Sequence, residues 1–302
     1  TGLYDPFYEH DACGVGFVAN INGHQDHDIV EDGITVLRNL EHRGAVGGDQ
    51  KTGDGAGMLL QIPHDFFTRV SGLVLPSPGT YGAGFFFLPS DDKSSAEARK
   101  LIEKTAALRN ALVLGWREVP TKPDCIGGLA KSTMPTFWQA FFSFDGLGGD
   151  ELERQLYILR KCIEKEAGSR GWPFDEFYVT SLSCRTIIYK GMFIASQFPA
   201  FYPDLSESDF TSAIALVHAR YSTNTLPSWY LAQPFRLMAH NGEINTLRRN
   251  LNNMTARETT ISSDLFGDDL EKLFPITADL MSDSAVFDNV FELLVQGGRS
   301  IE

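Results

Sequence analysis

Clusters of basic residues are missing from this sequence, and their absence narrows the classes of partner to expect. The chain has 26 lysines and arginines against 39 aspartates and glutamates, a formal net charge of −13, and no run of positive side chains. Nucleic acids and anionic membrane surfaces are recognised by concentrated positive charge. We therefore expect a small-molecule substrate or a protein partner, with no nucleic acid and no membrane.

Long apolar runs and paired cysteines are missing as well. No stretch approaches the roughly 20 apolar residues that a membrane-spanning helix needs. The four cysteines are far apart, and none lies in a Cys-x-x-Cys pair or at the spacing of a zinc site. We expect no disulfide framework and no metal. Reduced thiols indicate a cytoplasmic location, or a plastid if a targeting segment has been trimmed away.

A glycine-dense stretch, residues 44–57, invites comparison with phosphate-binding loops. It lacks the G-x-x-x-x-G-K-[ST] motif whose lysine and hydroxyl contact phosphate and magnesium. Nucleotide binding is therefore not expected, and the glycines predict a loop shaped for close approach of other backbone.

Hydrophobic periodicity predicts strands interleaved with helices, without repeats or a clear linker. The residues alone are typical of an α/β or α+β chain. Strands are predicted at 13–20, 58–62, 81–89, 136–144, 176–191 and 214–223, and just before Asn241. Helices are predicted at 28–40, capped by Asp28 with Glu31; at 94–112, capped by Ser94 with Glu97; at 150–168; from Gly242; and at 282–298.

Cys13 is the first residue that suggests chemistry. It opens a strand, and Gly14 and Gly16 remove side-chain bulk around its thiol, as a nucleophile that admits a substrate carbonyl requires. An unperturbed thiol has a pKa of about 8.5 and needs a base. One candidate is a histidine, His10 or His218. The other is the α-amine that Cys13 would acquire as the first residue, with a pKa of about 7.7 to 8.0.

Five motifs then occur in the order found in class II glutamine amidotransferases. They are "CGVGFV", "EHRG" with "TGDGAG", "HARYSTNT", "AHNGEIN" and "SDSAVFD". The residues of these motifs most closely resemble those in the amidotransferase domains of glutamate synthases. The long interval of 207 residues from Cys13 to Arg220 also resembles that branch, since the compact members of the class have far shorter ones.

The resemblance implies an α+β fold of the N-terminal-nucleophile hydrolase type, a four-layer α/β/β/α sandwich with two stacked antiparallel sheets. It implies that Cys13 attacks the amide of L-glutamine and forms a γ-glutamyl thioester. Asn241 and Gly242 would donate hydrogen bonds to the oxyanion, with Gly242 at a helix start. Arg220 would bind the substrate α-carboxylate through its planar fork.

The remaining site residues are also carried over from the resemblance. Asp283 would bind the α-ammonium group, although its place before an apolar helix also suits a capping residue. Thr223 and Asn224 would lie near the substrate carboxylate, and Arg43 and Gly44 beside the nucleophile. No metal is implied.

Residues 1–12 are interpreted as a propeptide or leader whose removal frees the amine of Cys13. The alternative is a permanent N-terminal extension that packs through Tyr4, Phe7 and Tyr8. Residues 13–302 are interpreted as the amidotransferase domain, truncated at its C-terminal end. Ammonia would pass to a synthase domain of the same chain that aminates 2-oxoglutarate, with an electron-donating subunit as a further partner. FMN and an iron-sulfur cluster would belong to that missing part, and no cofactor to this fragment. The alternatives are the domain of another class II enzyme, a Cys-His hydrolase using His218, and a non-catalytic domain.

Overall fold

A computed structural model describes residues 13–221, 226–278 and 281–300. Eight strands run through these residues: β1 Val15–Ala19, β2 Ala56–Gln61, β3 Gly82–Leu88, β4 Ala111–Glu118, β5 Thr136–Phe144, β6 Tyr178–Ser183, β7 Thr186–Gly191 and β8 Ile214–Ala219. The α-helices are α1 His27–Asn39, α2 His64–Ser71, α3 Asp92–Leu108, α4 Gly128–Ser132, α5 Gly149–Ser169, α6 Phe198–Phe201, α7 Leu247–Glu258 and α8 Asp283–Gln296.

The strands form two four-stranded sheets with only antiparallel pairings. The first sheet has the order β1-β8-β2-β7 and the second the order β4-β5-β3-β6. Aromatic and polar side chains join them: the ring centroids of Phe85 and Tyr189 are 5.0 Å apart, and Gln139 donates to the Tyr189 hydroxyl at 2.8 Å. Helices flank both sheets, which confirms the α+β sandwich implied by the resemblance.

Close packing holds helices against each of the two sheets. Helix α1 approaches the backbone of the first sheet closely, because the Cβ that Gly33 lacks would lie 2.6 Å from the Cβ of Ala215. Helices α3 and α5 share a buried apolar cluster with the second sheet, in which Leu101 and Leu156 pack with Phe86. The strand ends of the first sheet are thereby fixed in space.

One strand prediction and one helix prediction were wrong in their extent. Residues 176–191 were predicted as one strand but form β6 and β7, which belong to different sheets. The helix predicted at 94–112 ends at Leu108, and Leu112 lies in β4. Asn110 is responsible, because its φ of 58° is left-handed and stops the helix.

The segment around the Asn-Gly pair also differs from the prediction. Residues 232–246 contain neither strand nor helix, and α7 begins only at Leu247. Gly242 therefore does not lie at a helix start. Helix α1 is capped by Asp26, whose side chain accepts the N–H of Asp28, so the prediction that Asp28 caps it was also wrong.

Within residues 13–221, 226–278 and 281–300, no helix combines the length and hydropathy that crossing a bilayer requires. No three His, Cys, Asp or Glu side chains gather there in a way that could hold a metal ion.

Candidate active site

The site begins where three backbone segments meet at one end of the first sheet. The N–H of Ala219 donates to the Gly14 carbonyl at 2.8 Å, and the N–H of Arg220 donates to the Gly55 carbonyl at 2.8 Å. The Arg220 carbonyl in turn accepts the N–H of Ala45 at 3.2 Å. The start of β1, the end of β8 and the glycine-dense loop are thus tied together, as the prediction of a loop built for close approach requires.

Cys13 lies exposed at this junction, immediately before Gly14. A Cβ on Gly14 would come within 2.4 Å of the Ala219 carbonyl oxygen and 3.1 Å of Asn241 Oδ1. Only glycine fits there. The side-chain amide of Asn241 therefore lies against the backbone of the residue that follows the thiol.

A cleft of about 690 Å³ opens beside this junction. It is lined by the predicted residues Arg43, Arg220, Asn241, Gly242 and Asp283. Gly44 lies beside it, since its Cβ position is 3.7 Å from the Arg220 carbonyl oxygen. Thr223, Asn224, His10 and the predicted propeptide lie outside the described residues.

Arg220 lies at the base of the cleft and is 5% exposed. Its Nη1 atom donates to the Asp54 carbonyl oxygen at 3.3 Å. Burial lowers the pKa of the guanidinium, while the carboxylates of Asp54 and Asp283 act in the opposite direction. An arginine remains charged at neutral pH despite such a shift, so a fixed cation faces the cleft.

Asp283 lies at the first position of α8 and lines the cleft as well. Its Oδ2 atom accepts the N–H of Ile244 at 2.6 Å, and its Oδ1 atom accepts the N–H of Ser284 at 2.7 Å. The helix cap is Ser282, whose side chain accepts the N–H of Ala285. The alternative that Asp283 is the capping residue was therefore wrong, although its carboxylate does lie at the positive end of the helix.

His218 is buried at the side of the cleft. Its Nε2 atom lies 3.1 Å from the His240 carbonyl oxygen, so that nitrogen must carry the proton in the neutral ring. Burial, helped by the nearby charge of Arg220, lowers its pKa to about 4, although the hydrogen bond to the His240 carbonyl opposes the shift. The imidazole is therefore neutral at physiological pH, and Nε2 serves as a donor to backbone.

Sequence reasoning missed several residues that line the cleft. They are His42, Gln233, His240, Glu243, Ile244 and Ser284. His240 is the most telling of them, because its ring lies within 2.8 Å of where a Cβ on Gly242 would be, and its Nδ1 atom is 3.2 Å from Ser284 Oγ. Its position next to the Asn-Gly pair was the only signal that could have drawn attention to it.

Comparison with known families assigns the class. A sequence profile described as "Glutamine amidotransferases class-II" matches residues 13–302. The chain belongs to the class II glutamine amidotransferases.

Curated relatives point to one branch of that class. The chain is 45% identical over 301 residues to the "Glutamate synthase [NADPH] large chain" of Bacillus subtilis, covering 99% of this chain and 20% of that protein. It is 47% identical over 311 residues to the "Glutamate synthase [NADH]" of Saccharomyces cerevisiae, covering 98% and 14%. It is 42% identical over 306 residues to the "Ferredoxin-dependent glutamate synthase 2, chloroplastic" of Arabidopsis thaliana, covering 99% and 19%. The chain thus spans a fifth or less of the length of these relatives.

Proposed function

We propose that this chain hydrolyses L-glutamine to L-glutamate and ammonia at the Cys13 thiol. The sulfur attacks the side-chain amide carbon, and the C–N bond breaks so that ammonia leaves with the thiol proton and a γ-glutamyl thioester remains. Water then cleaves the C–S bond, which releases glutamate and restores the thiol. One observation carries the proposal: Asn241, which lines the cleft, has its side-chain amide against Gly14, the residue that follows the exposed Cys13.

Hydrogen-bond donors would stabilise the negative charge that develops on the substrate carbonyl oxygen. As the sulfur adds, the carbonyl oxygen of the substrate becomes an oxyanion, which the side-chain N–H of Asn241 and the main-chain N–H of Gly242 would stabilise. Both residues line the cleft and are exposed to it. Preorganised donors of this kind act on the transition state more than on the bound substrate.

Glutamine would be oriented by two opposite charges that line the cleft. The guanidinium of Arg220 suits the α-carboxylate, and the carboxylate of Asp283 suits the α-ammonium group. Arg43 and Gly44 would form the wall beside the thiol. Thr223 and Asn224 would complete the contacts to the carboxylate.

The base in this proposal is the α-amine of Cys13, freed when residues 1–12 are removed as a propeptide. A free α-amine is partly neutral at physiological pH and can accept the thiol proton directly or through water, which an amide nitrogen cannot do. The match to the amidotransferase class begins at residue 13, which supports this division into leader and domain. Burial of His218, which lowers its pKa to about 4 and makes it a weak base at neutral pH, supports an amine over this histidine.

In the longer protein, the ammonia would aminate 2-oxoglutarate at a synthase domain beyond this chain. The names of the relatives support this role, and they leave NADPH, NADH or ferredoxin as the electron donor. FMN and an iron-sulfur cluster would bind in that domain. The four cysteines here are unpaired and lie on separate segments, so they do not fit a cluster. The printed name of the Arabidopsis relative makes a plastid a location to consider beside the cytoplasm.

The test is ammonia release from L-glutamine by the chain as given, by the same chain beginning at Cys13, and by a Cys13→Ser variant of the shorter form. We expect activity only in the form that begins with cysteine. Equal activity in the full chain and in the chain beginning at Cys13 would show that another base, such as His218, accepts the thiol proton. Activity that survives Cys13→Ser would refute the proposal.

A further inference from the structure

Gln233 makes two hydrogen bonds to the backbone of one residue, His240. Its Nε2 atom donates to the His240 carbonyl oxygen at 2.9 Å, and its Oε1 atom accepts the His240 N–H at 2.8 Å. The side chain is 6% exposed, so water has little access to replace either bond. One glutamine side chain thus satisfies both backbone polar groups of His240.

Gln233 and His218 connect His240 to the first sheet. The Gln233 carbonyl oxygen lies 2.6 Å from where a Cβ on Gly57 of strand β2 would be, so the glutamine backbone is seated against that strand. His218 of strand β8 adds a third contact, 3.1 Å from its Nε2 atom to the same His240 carbonyl oxygen. The side chains of Gln233 and His218 therefore hold the His240 backbone to strands β2 and β8.

The segment that follows is irregular backbone. Asn241 and Gly242 come directly after His240, in the stretch 232–246 that has neither strand nor helix. Further anchors of this stretch are the 3.2 Å contact of His240 Nδ1 with Ser284 Oγ and the bond from the Ile244 N–H to Asp283. Because no regular element carries the two proposed oxyanion donors, their position depends on these side-chain contacts.

We propose that Gln233 is the positioning residue of the oxyanion site: by holding both backbone groups of His240, it sets where the Asn241 and Gly242 donors point. The inference rests on the proposed glutaminase function. Gln233 acts through His240, because both polar atoms of its side chain are bonded to the backbone of that residue. Misplacement of such donors by about 1 Å can reduce turnover roughly 100-fold.

The experiment uses the chain beginning at Cys13 and three variants. Gln233→Leu removes both hydrogen bonds, and Gln233→Glu keeps the acceptor for the His240 N–H but turns an ionised oxygen toward the His240 carbonyl. Gln61→Leu is the matched control. Gln61 Oε1 accepts the N–H of Ala213 at 2.9 Å at the opposite end of strand β2, away from the cleft.

We expect both Gln233 variants to lower kcat by about 10- to 100-fold while KM for L-glutamine changes by less than about threefold. This split follows because Arg220 and Asp283, which would bind the substrate, are untouched. Gln61→Leu should retain kcat and KM. Near-ultraviolet circular dichroism shows whether each variant is folded, and rates are expressed per reactive Cys13 thiol.

Amide hydrogen exchange of His240 provides a readout that does not depend on activity. Its N–H should exchange slowly in the parent chain and much faster in Gln233→Leu, while the Ile244 amide stays protected by Asp283. An unchanged kcat in folded Gln233→Leu, a rise in KM alone, or an unchanged His240 exchange rate would each overturn the inference. An inactive parent would refute the proposed function instead, and the exchange of His240 would still decide whether Gln233 holds it.

Discussion

Asn241 has a more specific environment than its place in an Asn-Gly pair suggests. Its side-chain oxygen lies 3.1 Å from the Cβ position of Gly14, which brings the carboxamide to the backbone next to Cys13. We expect Asn241→Ala to lower kcat for glutamine hydrolysis by about 100- to 1000-fold, with KM within a few-fold, because the donor acts mainly on the oxyanion.

Steady-state kinetics on the chain beginning at Cys13 measures this effect. Asn22 provides the control, since it also precedes a glycine but lies in an exposed turn after β1. Asn22→Ala should keep full activity. A kcat that is unchanged in Asn241→Ala would contradict the proposed oxyanion role.

Substitution of Arg220 tests how the substrate carboxylate is bound. Arg220→Lys keeps a positive charge but loses the planar fork that matches a carboxylate. We expect KM for L-glutamine to rise about 10- to 100-fold, as the loss of a charge-assisted hydrogen bond worth about 1.5 to 3 kcal/mol predicts. The effect on kcat should be smaller.

Arg69→Lys is a suitable comparison for that variant. Arg69 pairs with Glu207 and Asp209 on the surface, away from the cleft, and should tolerate lysine with normal kinetics. A normal KM in Arg220→Lys would show that the α-carboxylate binds elsewhere.

At the scale of elements, the contact of α1 with the first sheet depends on a glycine. Gly33→Ala would improve helix propensity by about 1 kcal/mol but would place a methyl group 2.6 Å from the Cβ of Ala215. Neither group can rotate away, and overpacking of this kind costs about 1 to 3 kcal/mol. We expect a net decrease in the free energy of unfolding.

Gly168 of helix α5 offers the matched substitution, because nothing lies within 4 Å of its Cβ position. Gly168→Ala should raise the free energy of unfolding by about 0.5 to 1 kcal/mol. Urea unfolding of both variants measures the difference. If the two substitutions moved stability in the same direction, the close packing of α1 on β8 would not be the cause.

At the scale of the whole molecule, one buried charge network joins three distant parts of the chain. Arg160 of α5 pairs with Glu164 of the same helix and with Glu292 of α8. Arg236, in the segment before the Asn-Gly pair, bonds to Glu164 and to Asp288 of α8. The network has one more carboxylate than guanidinium groups. Burial raises the pKa of Glu292 to about 7, although Arg160 and Arg236 oppose the shift.

This pKa predicts a pH dependence of stability. Because Glu292 binds its proton more tightly in the folded state than at its ordinary pKa of 4.5, its contribution is fully present below pH 4.5 and is lost as pH rises through about 7. Glu292→Gln should remove this dependence. The parent should therefore lose stability relative to the variant by up to about 1.4 kcal/mol per pH unit in that window.

Urea unfolding at several pH values between 4.5 and 8 compares the two proteins, and comparison of parent with variant cancels the contribution of His218. Glu166→Gln, at an exposed site on the same helix as Arg160, should follow the parent curve. Parallel curves for the parent and Glu292→Gln would show that Glu292 is ionised alike in both states.

Prediction from sequence succeeded where the local pattern is decisive. Strand β5 has the predicted bounds, and α5 lies within a residue of its predicted ends. It failed where a boundary depends on partners distant in sequence: β6 and β7 have similar composition, yet each pairs with a different sheet. Asp26 and Asp28 are equally good caps by residue type, and the pairing of residue 26 with residue 212 selects the first.

The class of the protein could be predicted from the sequence through five ordered motifs that resemble those of class II glutamine amidotransferases. The sequence also determined the apolar patterns that build the sheets and the helices on them. Tertiary structure alone decided that Gln233 holds His240 and that Asp283 fastens Ile244 and does not cap its helix. It also decided that the donors of Asn241 and Gly242 lie on irregular backbone. The physical reason is that hydrogen bonds between residues remote in the chain form only after the apolar cores have brought their elements together.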